Sequence, residues 1–312
     1  MEYSRHFPKR IRRMLIPVLA CALVLTLAAC AAQQVPPEPQ ASQAPPPPQP
    51  RPAKIALVLG AGAAKGFAHI GVLKVLEGHN VPIHMIVGTS AGSLVGSLYA
   101  YGYDAFRLQS LAMSVDRSDV IDMTIPDIGF IKGEKLENFV NRTIRNTPIE
   151  KLRTRFYAVA TDVSAGEEAV FATGNTGRAV RASCSIPGVF QPVKVASRTY
   201  VDGGIVSPVA VNAARGLGAD VVIAVDISGG KSGAVPQGTI DAFLLAVDIM
   251  YANISAYQVA KADVVIRPKV GHIASSDLSR RHEAILEGEK AAMEALPAID
   301  RILSRLRQEQ RL

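Results

Sequence analysis

A chain of 312 residues, 48% hydrophobic and 20% charged, buries a real core and is neither disordered throughout nor a bundle of membrane spans. The formal charge of +7 is concentrated at the start: the 34 basic and 27 acidic residues fall to 29 and 26 beyond residue 29, a net of only +3. Nucleic acid is thereby excluded as the expected partner.

In chain order, Arg5, Lys9, Arg10, Arg12 and Arg13 precede an apolar run from Ile16 to Ala29. That run is too short to span a bilayer comfortably and has the form of an export signal. It ends in Leu27-Ala28-Ala29-Cys30, which resembles the lipobox of bacterial lipoproteins, where the cysteine is lipidated and becomes the first mature residue. The resemblance implies a signal peptide over 1–29 and a membrane anchor on Cys30; the alternative is an ordinary signal or an uncleaved anchor. Ala31 follows where Asp would mark retention, so the implied destination is the outer membrane of a Gram-negative cell. Cys21 lies within the signal, which leaves Cys184 as the one free thiol and no internal disulfide. From Gln33 to Ala53 the chain is dominated by Pro, Gln and Ala, so 30–53 reads as an extended tether.

From Lys54 onward, apolar runs of strand length alternate with helical stretches. Strands are expected over Ile55–Leu59, Ile83–Val87, Phe156–Val163, Val193–Val201, Ala219–Asp226 and Val264–Arg267. Helices are expected over Gly66–Gly78, Ala91–Tyr101, Thr239–Ala262 and Arg280–Gln308. This alternation predicts an α/β layer fold with a mainly parallel sheet. The catalytic domain is placed at 54–270, with 271–312 a helical extension packed on it. The Arg-rich face of the last helix reads as solvated, with a membrane-surface role the minority reading.

Three places carry chemistry. Gly60-Ala61-Gly62-Ala63-Ala64-Lys65-Gly66 follows the first strand and opens a helix, a loop whose backbone N–H groups suit an anion. A dinucleotide loop is disfavoured, because the third glycine comes one residue late and the acid expected at the end of the second strand is missing. There stands Gly88-Thr89-Ser90-Ala91-Gly92 between an apolar strand and an apolar helix, the context of a nucleophile elbow. The plain structural alternative is a tight turn with an idle serine. Asp202, in Tyr200-Val201-Asp202-Gly203-Gly204, is the best-placed carboxylate, although Asp-Gly also ends strands without chemistry. His69 and His84 read as structural, and Cys184 as buried and inert.

Taken with Ala182-Ser183-Cys184-Ser185-Ile186-Pro187-Gly188-Val189-Phe190, these motifs resemble the bacterial patatin-like phospholipase family over roughly Lys54 to Pro268. The resemblance implies a three-layer α/β/α fold, a Ser–Asp dyad on Ser90 and Asp202 without histidine, and an oxyanion loop on Gly62 and Ala63, with Lys65 and Gly66 in it. Two of the family's three loop glycines are alanine here, Ala61 and Ala63. Alanine keeps its N–H donor but loses access to positive φ without cost, so the donors survive if the loop stays at negative φ. The implied substrate is a phospholipid, lysophospholipid or related acyl ester, with no cofactor and no metal; protein partners are not indicated. Two rivals remain: an order Ser90–Asp202–His272 matching an α/β-hydrolase triad, and a silent envelope lipoprotein that binds lipid or a protein with the same pocket.

Overall fold

In the computed structural model, residues 50–124, 129–229, 236 and 238–312 are described. The export signal, Cys21, Cys30 and the tether up to Gln49 lie outside the described residues. The apolar runs form one eight-stranded sheet: Ile55–Leu59 (β1), Met85–Thr89 (β2), Arg155–Asp162 (β3), Glu167–Phe171 (β4), Val193–Val195 (β5), Arg198–Asp202 (β6), Val221–Val225 (β7) and Val264–Ile266 (β8). Their order is β5-β6-β3-β2-β1-β7-β8, with β4 on the other edge of β3. β3, β2, β1, β7 and β8 run parallel, while β4, β5 and β6 pair antiparallel.

Every residue of β1, β2 and β7 is buried, as strands covered on both faces require. Ile55, Leu57 and Leu59 face one layer, and Ala56 and Val58 the other. The helices are Ala68–Gly78 (α1), Ala91–Tyr101 (α2), Ala105–Ser114 (α3), Arg117–Val120 (α4), Glu134–Thr143 (α5), Thr176–Ser183 (α6), Val211–Gly216 (α7), Thr239–Val259 (α8) and Arg281–Gln308 (α9). Residues of α1, α2, α5, α6 and α9 fill the first layer; α7 and Val259 of α8 fill the second. The three-layer α/β/α expectation therefore holds.

Two local expectations need correction. The strand expected over Val193–Val201 is a hairpin of β5 and β6, closed at Ala196 and Ser197, with Ala196 at φ 53°. Positive φ there turns the chain back on itself in two residues, so a stretch rich in Val, Thr and Tyr becomes two strands. The helix expected from Gly66 begins instead with a 3-10 turn, Ala63–Phe67, before α1. Arg51 and Ala53, expected in the tether, are docked: Arg51 pairs with Asp220 at 2.7 Å, and the Ala53 N–H donates to the Arg311 carbonyl at 2.7 Å. The last helix belongs to the core. Gly71 of α1 and Gly288 of α9 let the two backbones touch, since a Cβ on either would overlap the carbonyl of Ile285 or Ala68.

Candidate active site

β3 brings the serine and the carboxylate together. Its one edge pairs Val159 with Thr89 at the end of β2, then Ala160 with Asp202 at the end of β6. Successive residues of one strand thus fix the chain positions from which both side chains start. The Ser90 hydroxyl donates to Asp202 Oδ2 at 2.6 Å. Ser90 is 4% exposed and Asp202 fully buried.

The elbow is strained as its sequence implies. Ser90 sits at φ 53°, ψ −122°, between the end of β2 and the first residue of α2. A Cβ on Gly88 would lie 2.6 Å from the Gly92 carbonyl oxygen, and one on Gly92 would overlap the Leu59 carbonyl. Both motif glycines are therefore demanded by close approach. The Ser90 N–H donates to Ser183 Oγ at 2.8 Å, and Ser183 Oγ–H donates to the Val159 carbonyl at 2.5 Å. Ser183 thus ties the strained residue to β3.

Burial pushes the Asp202 carboxyl up to about 6, against hydrogen bonds from Ser90, Gly204 N–H and Tyr251 that pull the other way. Gly204 N–H and the Tyr251 hydroxyl both donate to Oδ1, at 2.7 and 3.1 Å. Tyr251 comes from α8 and packs so tightly on Gly204 that a side chain there would overlap its ring. Its phenol is held well above the usual range by burial and by Asp202, so it remains a donor.

The glycine loop lies beside the elbow because β1 and β2 are parallel neighbours, with Leu59 opposite Gly88. Backbone N–H groups of Gly60, Ala61, Ala64 and Lys65 donate to Val225, Pro208, Ser275 and Gly62 carbonyls. Among the described residues, those of Gly62 and Ala63 donate to none. Ala63 adopts φ 48°, so the condition of negative φ is not met, and alanine here bears the strain that glycine would avoid. The next turn offsets that strain, with Lys65 N–H returning to the Gly62 carbonyl and Gly66 packed on Ala91, where a Cβ would meet the Ala91 methyl at 2.6 Å. Lys65 is buried and pairs with Asp248 of α8 at 2.8 Å, so its charge is spent structurally. His69 braces the same loop through Nε2 to the Gly60 carbonyl at 2.8 Å, and burial lowers it to about 4, which keeps it neutral.

A cavity of about 340 Å³ opens at Ser90 and runs along Leu94, Val95 and Leu98 of α2 towards Leu108 and Leu111 of α3. Its walls are mainly aliphatic and aromatic, with Asp116, Arg117 and Arg281 among the lining residues. Cys184 lines it beside Ser90 with its thiol pushed up by burial, hence unreactive. His272, of the rival triad, is exposed and bonded to Glu283 at 2.6 Å, while the oxygens of Asp202 accept from Ser90, Gly204 and Tyr251.

Fold and site define an α/β protein with a buried serine–carboxylate pair at the C-terminal edge of a mainly parallel sheet. The family model described as Patatin-like phospholipase matches residues 57–215, just over half of the chain, and the chain belongs to the patatin-like phospholipase family. It is 37% identical over 184 residues to an uncharacterised NTE family protein of Mycobacterium tuberculosis, a match covering 58% of this chain and 51% of that one. It is 34% identical over 179 residues to lysophospholipase nte1 of Aspergillus fumigatus, covering 55% of this chain and 12% of that one. Patatin-like phospholipase domain-containing protein 6 of Mus musculus is 36% identical over 181 residues, covering 55% and 13%. The chain thus spans about half the length of the mycobacterial relative and about an eighth of the others. Among solved structures, VipD from Legionella pneumophila superposes with a TM-score of 0.47 at 13% identity, covering 80% of this chain and 67% of that one.

Proposed function

We propose that this protein is a lipid acyl-ester hydrolase of phospholipase A or lysophospholipase type, working through Ser90 and Asp202. The observation that carries the reading is the 2.6 Å hydrogen bond to a buried Asp202 from Ser90, which lines an apolar cavity. As Ser90 Oγ attacks the ester carbonyl carbon, its proton passes to Asp202 Oδ2, and the carbonyl oxygen becomes an oxyanion. The N–H groups of Gly62 and Ala63, which donate to no described residue, are the donors assigned to it, reinforced by the N-terminus of α2. Collapse of the intermediate breaks the ester C–O bond, the leaving alcohol takes the proton from Asp202, and Ser90 is left acylated. Water then attacks the acyl-enzyme, again losing its proton to Asp202, and returns the free acid and Ser90. A carboxyl raised to about 6 is a better base than an ordinary aspartate and is still ionised at neutral pH.

The acyl chain lies along the cavity beside α2, which supports lipid as the substrate class; the lysophospholipase relative supports the same choice. Export, lipidation at Cys30 and anchoring in the outer membrane belong to the same proposal and rest on the sequence of residues 1–31. A fluorophosphonate probe tests the chemistry. Labelling of the folded protein that disappears in Ser90→Ala supports the hydrolase; a folded protein that never labels is the silent lipid-binding lipoprotein instead. Loss of acyl labelling in Cys30→Ala tests the anchor.

A further inference from the structure

α8 turns one face to the active site and another to solvent, and the outer face carries no charge. Its exposed residues include Phe243, Ala246, Ile249, Met250, Asn253 and Tyr257, which recur on one side of about four helical turns. Ile249 is 56% and Tyr257 80% exposed. The only charged residues of the helix, Asp241 and Asp248, are half-buried and bonded to Ser276 and to Lys65 and Ser275. Asp241–Val259 is long and apolar enough to cross a membrane. Its inner face, however, is fixed in the protein: Tyr251 bonds Asp202, Ser255 bonds Ser228, and Gln258 bonds Val206 and Val209.

We infer that the outer face of α8, with Met123 and Phe130 at the cavity mouth, is the surface by which this protein lies on a lipid bilayer. The apolar surface adjoins the lining of the cavity. Leu244 of α8, Met123 and Phe130 line the cavity, the latter two exposed, and the Phe243 ring lies 3.8 Å from the Cβ position of Gly188, next to the cavity-lining Val189. Exposed apolar patches of this kind mark protein or membrane contacts. A second copy seated on α8 would cover the cavity mouth, whereas a bilayer covers the stripe and supplies acyl chains to that mouth. Tyr257 suits the interfacial layer, where amphipathic rings sit, and the exposed Arg117 at the same cavity faces the headgroup phosphates. Lipid as the occupant rests on reading the cavity as an acyl-chain site. The helix that meets the bilayer would also hold Asp202 through Tyr251 and the oxyanion loop through Asp248, so docking bears on the machinery directly.

The chain contains no tryptophan, which makes the test clean. Ile249→Trp and, as a control, Met293→Trp on the exposed side of α9 are made in the full chain carrying Ser90→Ala. Each is mixed with vesicles of equal phosphatidylcholine and phosphatidylglycerol bearing brominated acyl chains. Docking predicts a blue-shifted, quenched emission for Ile249→Trp and none for Met293→Trp. Equal quenching of both, or of neither, overturns the proposal. So does a blue shift without vesicles that grows with protein concentration, since a second copy then covers the face. In the active chain, Ile249→Asp with Met250→Asp should slow hydrolysis of vesicle phospholipid at least about tenfold and leave a soluble short-chain ester within about twofold. A parallel loss on both substrates overturns it as well. If the parent hydrolyses neither substrate while Ile249→Trp is quenched, the hydrolase reading fails and the docking surface stands.

Discussion

An ionised carboxylate at Asp202, shut off from solvent, works against folding at neutral pH. Its folded pKa of about 6 lies above the ordinary 3.8, so the folded state holds the proton more tightly than the unfolded chain. The stabilisation from that proton is complete below about pH 4 and lost as pH rises through about 6. Asp202→Asn should therefore raise stability at pH 7 by on the order of 2–3 kcal/mol, seen as a higher denaturation midpoint, while turnover collapses. On the proposed mechanism, kcat/KM of the parent protein should fall as pH drops below about 6. A variant that is weakened, or that keeps its rate, would move the base elsewhere. Ser183 makes a second prediction at this scale, because it alone satisfies the buried N–H of a residue held at positive φ. Ser183→Ala should lower kcat by about tenfold or more with little change in KM, and cost about 1–3 kcal/mol of stability. Ser183→Thr, which keeps the hydroxyl, should restore most of the rate. The Ser90 and Asp202 pairing was foreshadowed by local motifs. Ser183 lies inside one of those motifs, yet its role depends on reaching Ser90 from 93 residues away.

Between elements, two glycines in the same helical pair make opposite demands. Gly288 meets the backbone of α1, while Gly78, at the end of α1, has nothing within 4 Å of its Cβ position. Gly288→Ala should destabilise by about 1–3 kcal/mol or more through overpacking, and Gly78→Ala should be neutral or stabilise by up to about 1 kcal/mol. Urea midpoints compare the two, and equal effects would show that the α1–α9 contact is not set by backbone approach. α2 is found where its apolar spacing and the preceding Gly-x-Ser-x-Gly place it, over Ala91–Tyr101. α3, α5, α6 and α7 were not distinguished, and short helices of this kind owe more to packing than to propensity. Asn175 caps α6 by accepting from Arg178 N–H, a signal that was present and not used. The β5–β6 hairpin has no Gly, Pro, Asn or Asp at its turn, only Ala196 and Ser197, so its turn signal in the sequence is weak.

Across the whole molecule, the C-terminal helix completes the core that the sheet begins. Ile285, Ala292, Ile299 and Leu303 of α9 are buried in the same cluster as Ile55, Leu57 and Leu59. A chain of residues 54–270 should therefore lack a cooperative thermal transition or fail to stay soluble, whereas the chain through Leu312 unfolds cooperatively. Calorimetry of both decides it, and a cooperative transition in the shorter chain would make α9 a true appendage. By itself the sequence determined the α/β alternation, the elbow around Ser90, the glycine loop after β1 and the family, because each is written in contiguous residues whose backbone needs or periodicity are local. Tertiary structure alone decided that Tyr251 and Gly204 share the second oxygen of Asp202, that Lys65 is spent on Asp248, that Ala63 takes a strained turn, and that α8 bares a chargeless face beside the cavity. The Tyr251 and Lys65 pairings join segments far apart in the chain, fixed by strand register and helix packing, and no local pattern records them.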